Sequence, residues 1–212
     1  MRVVVTRPRE QAAGLARRLE ELGHEVLVEP LIEIQRTGPR EIDVAGYDWV
    51  IVTSPNGAEE LADRMRGRPM RMAAIGPGTA AALRRRGLEP DLIARVSSQE
   101  GLLADLPQPV GRVLFVAAEG ARTLLPEELD ADVAHVYRTI ELKPESFPDA
   151  DLVMLASPSA VRAYAALGRD LPTVSIGPET TRAAREAGVT VAAEAASHDL
   201  DGLVQAVRQA AQ

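Results

Sequence analysis

Apolar positions fall in two alternating patterns along the chain. Short continuous runs, Val3-Val4-Val5 first among them, have the pattern of strands buried on both faces of a parallel sheet. Between them lie stretches with apolar residues at helical spacing. In residues 9–22, Ala12, Leu15, Ala16, Leu19 and Leu22 share one face, charge lies opposite, and Gly23 is placed to end the helix. Residues 24–30 then supply a second strand, completing a β-α-β unit whose parallel strands require the helix as crossover. Residues 31–37 alternate apolar and polar and read as a half-exposed strand.

The same grammar continues. Strands are expected at 49–52, 72–75 and 113–116, and helices from the Ser-Pro turn at 54 to about 65, at 79–86 before Gly87, after the capping serines 97 and 98, and at 123–129. Residues 133–142 form an extended run whose later part alternates as residues 31–37 do, so the two are expected to pair as an antiparallel ribbon. Beyond it come strands at 152–155, 173–176 and 189–191 and helices from Ser157 to about 167, at 180–187 and at 199–210.

Part of this order is a duplication. Residues 48–79 return as 151–180, each copy running strand, Ser-Pro turn, helix, and a strand ending in Ile-Gly-Pro-X-Thr. Ser54 and Ser157 are 103 residues apart, and the pairs Gly76/Gly177 and Thr79/Thr180 are each 101 apart. Residues 1–34 and 111–142 also resemble each other, so the chain is two halves of the form A-ribbon-B. Either each half closes on itself, or the A unit of one packs with the B unit of the other. The crossed version is preferred, because two ribbon strands in opposite directions can then join the domains as a hinge. The expected architecture is α/β, with two parallel-sheet domains joined by a two-stranded antiparallel β ribbon. One domain is discontinuous, residues 1–33 plus 143–212; the middle domain is 38–137; the ribbon is 34–37 with 138–142.

Composition narrows the function. With 212 residues, 46% of them hydrophobic, the chain can bury a substantial core. A net charge of −7, with no basic tract longer than Arg84-Arg85-Arg86, disfavours nucleic acid. An acidic average still permits an anionic small ligand where donors gather. The absence of cysteine removes disulfides, thiolate metal sites and cysteine nucleophiles. The start, MRVVVTRPRE, has too short an apolar run for a signal-peptide core or membrane span, and a cytoplasmic protein without membrane contact is expected.

Ligands of open α/β sheets bind beyond the carboxyl ends of the strands, where helix N-termini present free N–H groups to anions. Five such turns are legible: 6–8, 53–57, 76–79, 157–159 and 177–181. Each also reads as an ordinary cap and turn; their repetition favours a cleft gripped from two sides. None is a Walker loop or dinucleotide fingerprint, so no cofactor is expected. His24, His135 and His198 stand far apart without carboxylates at ligand spacing, so no metal is expected either. A Ser-His-Asp triad stays open, though no G-x-S-x-G elbow occurs. Arg7, directly after a buried strand, suits bidentate contact with a carboxylate or phosphate; a salt bridge to a nearby carboxylate is the other reading. Tyr137, at the start of the second ribbon strand, either packs on the hinge or faces the cleft, where its hydroxyl can donate a proton or hydrogen bond.

Taken together, VTRP at 5–8, TSPNG at 53–57, IGPGTAAALRRRG at 75–87, VYRT at 136–139, SPSAV at 157–161 and IGPETTRAAREAG at 176–188 resemble the uroporphyrinogen-III synthase family of tetrapyrrole (haem) biosynthesis. The resemblance implies two α/β domains joined by a two-stranded ladder. It also implies a cofactor-independent lyase that closes linear hydroxymethylbilane with loss of water and inversion of the last pyrrole ring, through a spiro intermediate. It places the family's tyrosine at Tyr137 as an acid assisting departure of the hydroxyl. Substrate contacts fall at Arg7, Ser54, Asn56, Gly57, Thr79, Ser157, Ser159, Thr180 and Thr181. The family's arginine and glycine after the 113–116 strand are replaced here by Ala117-Ala118-Glu119-Gly120; either Arg122 substitutes or that corner does not touch substrate. The expected partner is the linear polycarboxylate tetrapyrrole, bound by a monomer, with transient contact with the preceding pathway enzyme left open. The alternative is a non-catalytic two-domain cytoplasmic binding or sensor protein for an anionic metabolite.

Overall fold

The computed structural model describes residues 1–211. In chain order its first elements are β1 (Arg2–Val5), α1 (Arg9–Glu21), β2 (Glu25–Val28), β3 (Ile32–Arg36), β4 (Ile42–Asp43), β5 (Trp49–Val52), α2 (Pro55–Arg64), β6 (Met65–Arg66), β7 (Arg71–Ala74), α3 (Pro77–Arg85) and β8 (Leu92–Ile93). There follow α4 (Gln99–Asp105), β9 (Val113–Ala118), α5 (Leu124–Leu129), β10 (Asp132–Glu141), β11 (Leu152–Leu155), α6 (Pro158–Ala165), β12 (Thr173–Ser175), α7 (Pro178–Glu186), β13 (Val191–Glu194) and α8 (Leu200–Ala210). These elements gather into two compact units, one of Met1–Glu33 with Thr139–Gln212 and the other Ile34–Arg138.

The first unit holds a sheet in the order β13-β12-β11-β1-β2, with every pairing parallel. Strand side chains alternate between faces, and helices cover both. Val3, Val5, Leu152 and Met154 pack with Leu15 and Leu19 of α1 and Leu203 and Val207 of α8. Val4, Val153 and Leu155 point the other way, onto Val161 and Tyr164 of α6 and Ala184 of α7. A strand covered on two sides has no polar face, so VVV and LVML are continuous apolar runs. The edge strands β2 and β13 are only partly buried.

The second unit repeats the plan with the chain cut elsewhere. Its parallel strands lie in the order β10-β9-β5-β7-β8. Counting from β9, this is the first unit's order circularly permuted, with β9 in the place of β1 and β5 in the place of β11. Val50, Val52, Leu114 and Val116 face Leu61 of α2 and Leu83 of α3, while Trp49, Ile51, Val113 and Phe115 face Leu102 of α4 and Leu125 of α5. β3 completes this sheet beside β10. Leu142 N–H bonds to Leu31 O at 2.9 Å and Thr37 N–H to Val136 O at 3.1 Å, so the partner number falls as the first rises and the pair is antiparallel.

The duplication reaches further than the motifs imply. Ser98 and Asp199, 101 residues apart, cap α4 and α8 by accepting from the amides of Gly101 and Gly202 at 3.0 and 2.8 Å. A Cβ on Gly101 would lie 2.2 Å from Val96 O, and one on Gly202 2.0 Å from Ser197 O. Both glycines are therefore required by the close approach of backbone.

Several expectations shift. The strand expected at 189–191 is β13 at Val191–Glu194, because Val189, capping the turn after Gly188, is buried against α6 and α7 instead. The small parallel pair β4-β6 and the short β8 carry no apolar run long enough to announce them. Tyr137 lies midway along β10, within the extended run expected at 133–142 and where its antiparallel pairing with β3 begins.

Candidate active site

Neighbouring strands whose crossovers run to opposite sides of a sheet open a crevice at their carboxyl ends. In the first unit those strands are β1 and β11. Arg7 follows β1, and Ser157 and Ser159 follow β11. In the second unit they are β9 and β5; Ala118-Glu119-Gly120 follows the one, and Ser54, Asn56 and Gly57 follow the other. The permutation thus brings each unit's sequence-predicted hydroxyls to its own switch point.

In the second unit the residues converge. Ser54 is extended, caps α2, and accepts the Gly57 amide at 3.0 Å. The same oxygen accepts the Tyr137 hydroxyl at 2.9 Å, which leaves the Ser54 proton free to donate. The Asn56 side chain also hydrogen-bonds the tyrosine. Tyr137 is 6% exposed, and burial first of all pushes its pKa above 10, with the bonds to Ser54 and Asn56 opposing. Its proton therefore stays on oxygen throughout the neutral range. Four of the expected residues, Ser54, Asn56, Gly57 and Tyr137, form one cluster here.

In the first unit the matching serine has different company. Ser157 caps α6 through the Ala160 amide at 3.2 Å and shares a 2.9 Å bond with the Ser159 hydroxyl. Arg7, half-buried, donates from Nη2 to Gln11 Oε1 at 2.8 Å one turn into α1. Thr6 beside it is fully buried and donates to Met154 O at 2.6 Å, tying β1 to β11 beneath the turn.

The outer turns differ again. Gly76 and Gly177 precede α3 and α7 with extended backbones, and each is overlaid by the next loop. A Cβ would lie 2.4 Å from Ser97 Oγ in one and 2.7 Å from the His198 ring in the other. Thr79, Thr180 and Thr181 are 3%, 2% and 4% exposed. Thr181 shares a 2.5 Å hydroxyl bond with Ser175, closing the turn from β12. Arg122 pairs with Glu100, which holds that carboxyl at about 2, and its carbonyl accepts from Gln99 at 2.9 Å. Sequence reasoning overlooked Ser97 and His198 at these glycines; the common offset of 101 residues was the signal for them.

Among the described residues, no cluster of three or more His, Asp or Glu could hold a metal ion, and no helix is long and apolar enough to cross a membrane.

Two permuted copies of one doubly wound unit, with hydroxyls and backbone amides at each switch point and the buried Tyr137 phenol at one of them, define a duplicated α/β protein. The model of the family described as uroporphyrinogen-III synthase HemD matches residues 13–205, and the chain belongs to that family, which comprises cyclising lyases of tetrapyrrole biosynthesis. A uroporphyrinogen-III synthase of Synechococcus elongatus is 28% identical over 251 residues, covering 98% of this chain and 94% of that protein. A Methanocaldococcus jannaschii protein carrying the same family name is 29% identical over 159 residues, covering 70% of this chain but 65% of its own, less than two thirds. The fold matches that of a mutant uroporphyrinogen III synthase from Thermus thermophilus, with a TM-score of 0.62 at 20% identity over 100% of this chain and 99% of that one.

Proposed function

We propose that the protein is a uroporphyrinogen-III synthase, converting hydroxymethylbilane to the cyclic type III isomer without a cofactor. The observation that carries this reading beyond family membership is the buried Tyr137 hydroxyl held on Ser54 and Asn56 at the switch point of its unit.

The chemistry suits these groups. The substrate's hydroxymethyl group departs readily because the pyrrole nitrogen stabilises the cation that remains. Its C–O bond breaks, and the hydroxyl leaves as water when a donor assists it. Tyr137 is that donor. It lends the proton that turns the departing hydroxyl into water and regains one that the substrate releases as the ring closes, since its raised pKa disfavours a lasting phenolate. Closure must then occur at the substituted carbon of the last ring, and holding the flexible chain in that geometry is the larger part of the work. Arg7, Ser54, Asn56, Gly57, Thr79, Ser157, Ser159, Thr180 and Thr181 are the proposed substrate-binding residues. Among them Arg7 is the cation best suited to a carboxylate, and the hydroxyls and amides at the strand ends serve the others.

The two compact units serve as the domains in this reading, and the antiparallel β3–β10 pair is the ribbon joining them. Unspecific capture of an anionic metabolite would need no buried hydroxyl donor, which favours the enzyme. Incubating the purified chain with freshly made hydroxymethylbilane and separating the porphyrin isomers after oxidation tests the proposal. Type III product is expected; type I alone, the product of spontaneous closure, refutes it.

A further inference from the structure

Arg64, the last residue of α2, is a buried guanidinium at the far end of the helix that the TSPNG turn begins. Its side chain is 4% exposed and is surrounded by acceptors. Nη1 donates to Thr37 O at 2.6 Å and Pro39 O at 3.0 Å, Nη2 to Val136 O at 2.6 Å, and Nε to Glu60 O at 3.1 Å. Glu60 Oε2 lies 2.9 Å from Nη2 and 2.7 Å from Arg36 Nε, so the buried positive charge has a carboxylate partner. Burying a charge is costly even when it is paired. A lysine would bring one point charge and could not span four separate carbonyls. The arrangement therefore serves geometry.

What it holds is the backbone beside Tyr137. The β10–β9 pairing runs in register from Asp132 to His135 and then slips before Tyr137, so Val136 is the extra residue of a bulge. A bulge leaves a backbone group outside the ladder and re-aims the next side chain. The Val136 carbonyl is taken by Arg64 and by the Thr37 amide at 3.1 Å. The chain also presses on the bulge at Gly38, whose φ of +74° and whose place, with a would-be Cβ 2.0 Å from His135 O, admit glycine alone. Helix α2 is thus attached to the β10 strand twice. Ser54 at its start holds the tyrosine hydroxyl, and Arg64 at its end holds the carbonyl of the residue before the tyrosine.

We propose that Arg64 is a positioning residue for the reaction: by fixing the Val136 bulge it sets the Tyr137 hydroxyl against Ser54 and Asn56. The inference rests on the reading of Tyr137 as the donor to the leaving hydroxyl.

A double-mutant cycle tests it. Arg64→Gln is expected to lower kcat for type III product by about 10²-fold, the scale of misplacing a reacting group by about 1 Å, with KM little changed. In a Tyr137→Phe background the same substitution should cost nothing more, because both changes remove one function. The Tyr137 phenol, followed by tyrosinate absorbance against the Tyr137→Phe protein, should titrate higher in Arg64→Gln than in wild type, because the bonds to Ser54 and Asn56 that oppose burial are loosened. Arg64→Lys, which keeps the charge and loses the fork, should share the kinetic defect. Full turnover in a folded Arg64→Gln protein, losses that multiply in the double variant, or an unmoved phenol titration would each overturn the proposal. So would failure of both Arg64 variants to fold, which makes the residue a stability element. Wild-type turnover in Tyr137→Phe alone would instead remove the reading of Tyr137 on which the proposal stands.

Discussion

Ser54 in one unit and Ser157 in the other cap equivalent helices with the same bond to the amide three residues on, yet their hydroxyls meet different partners. Ser54 receives the buried Tyr137 phenol, whereas Ser157 shares a hydroxyl–hydroxyl bond with Ser159. The strand next door reverses the contrast. Arg7 follows β1, while the strand that replaces β1 in the permuted unit, β9, ends in Ala117-Ala118. The equivalent turns thus hold a cation and paired serines in one unit and a desolvated phenol in the other. Under the proposed function, the difference places the carboxylate-binding cation in the first unit and the proton donor in the second.

Five substitutions sharpen or break that division. The largest effect is expected from Tyr137→Phe, which should lower kcat about 10²-fold with the fold intact, the lower end of what a positioned donor contributes. Steady-state kinetics with circular dichroism checks it, and unchanged turnover removes the phenol from the reaction. Arg7→Ala should instead act on binding. Losing a charged hydrogen bond of about 1.5–3 kcal/mol raises KM by about tenfold or more and leaves kcat nearly alone. A kcat defect as large as that of Tyr137→Phe would erase the contrast between the units.

The serines provide a matched control. Ser54→Ala and Ser157→Ala should each cost about 1 kcal/mol as lost helix caps, read from denaturant midpoints. Only Ser54→Ala should also lower kcat, since it alone removes the acceptor of the phenol. The smallest effect belongs to Arg122. Its pairing with Glu100 holds that carboxyl at about 2 against an ordinary 4.5, so the stabilisation is present above 4.5 and lost as pH falls toward 2. Arg122→Ala should raise the Glu100 midpoint in an NMR titration, leave stability at pH 7 nearly unchanged because the pair is exposed, and leave KM alone. A clear rise in KM would return Arg122 to the substrate.

Much of this was legible in the sequence, for identifiable reasons. VVV, WVIV and LVML are strands covered on both faces, and their lack of alternation says so. The Ser-Pro turns announce helix starts because a serine cap followed by proline at the first helical position satisfies two constraints at once. The residues at the switch points were found by the same logic. Other features leave no trace in composition or period. The bulge at Val136 adds one residue to an alternating strand, and alternation over so few positions does not reveal it. Arg64 sits on an amphipathic helix where an arginine ordinarily faces water; only the tertiary convergence of Thr37, Pro39 and Val136 carbonyls shows it buried. Thr181 is placed at the substrate by the family resemblance, and nothing in the sequence shows that its hydroxyl also closes the turn on Ser175.

The most direct measurement is the ratio of type III to type I uroporphyrinogen formed from one preparation of hydroxymethylbilane by the wild-type, Arg7→Ala and Tyr137→Phe proteins side by side. Wild type should give nearly pure type III. At saturating substrate Arg7→Ala should keep a high type III share, and Tyr137→Phe should lose it, because spontaneous closure to type I overtakes a slowed enzyme. Type I alone from the wild-type chain would contradict the central claim.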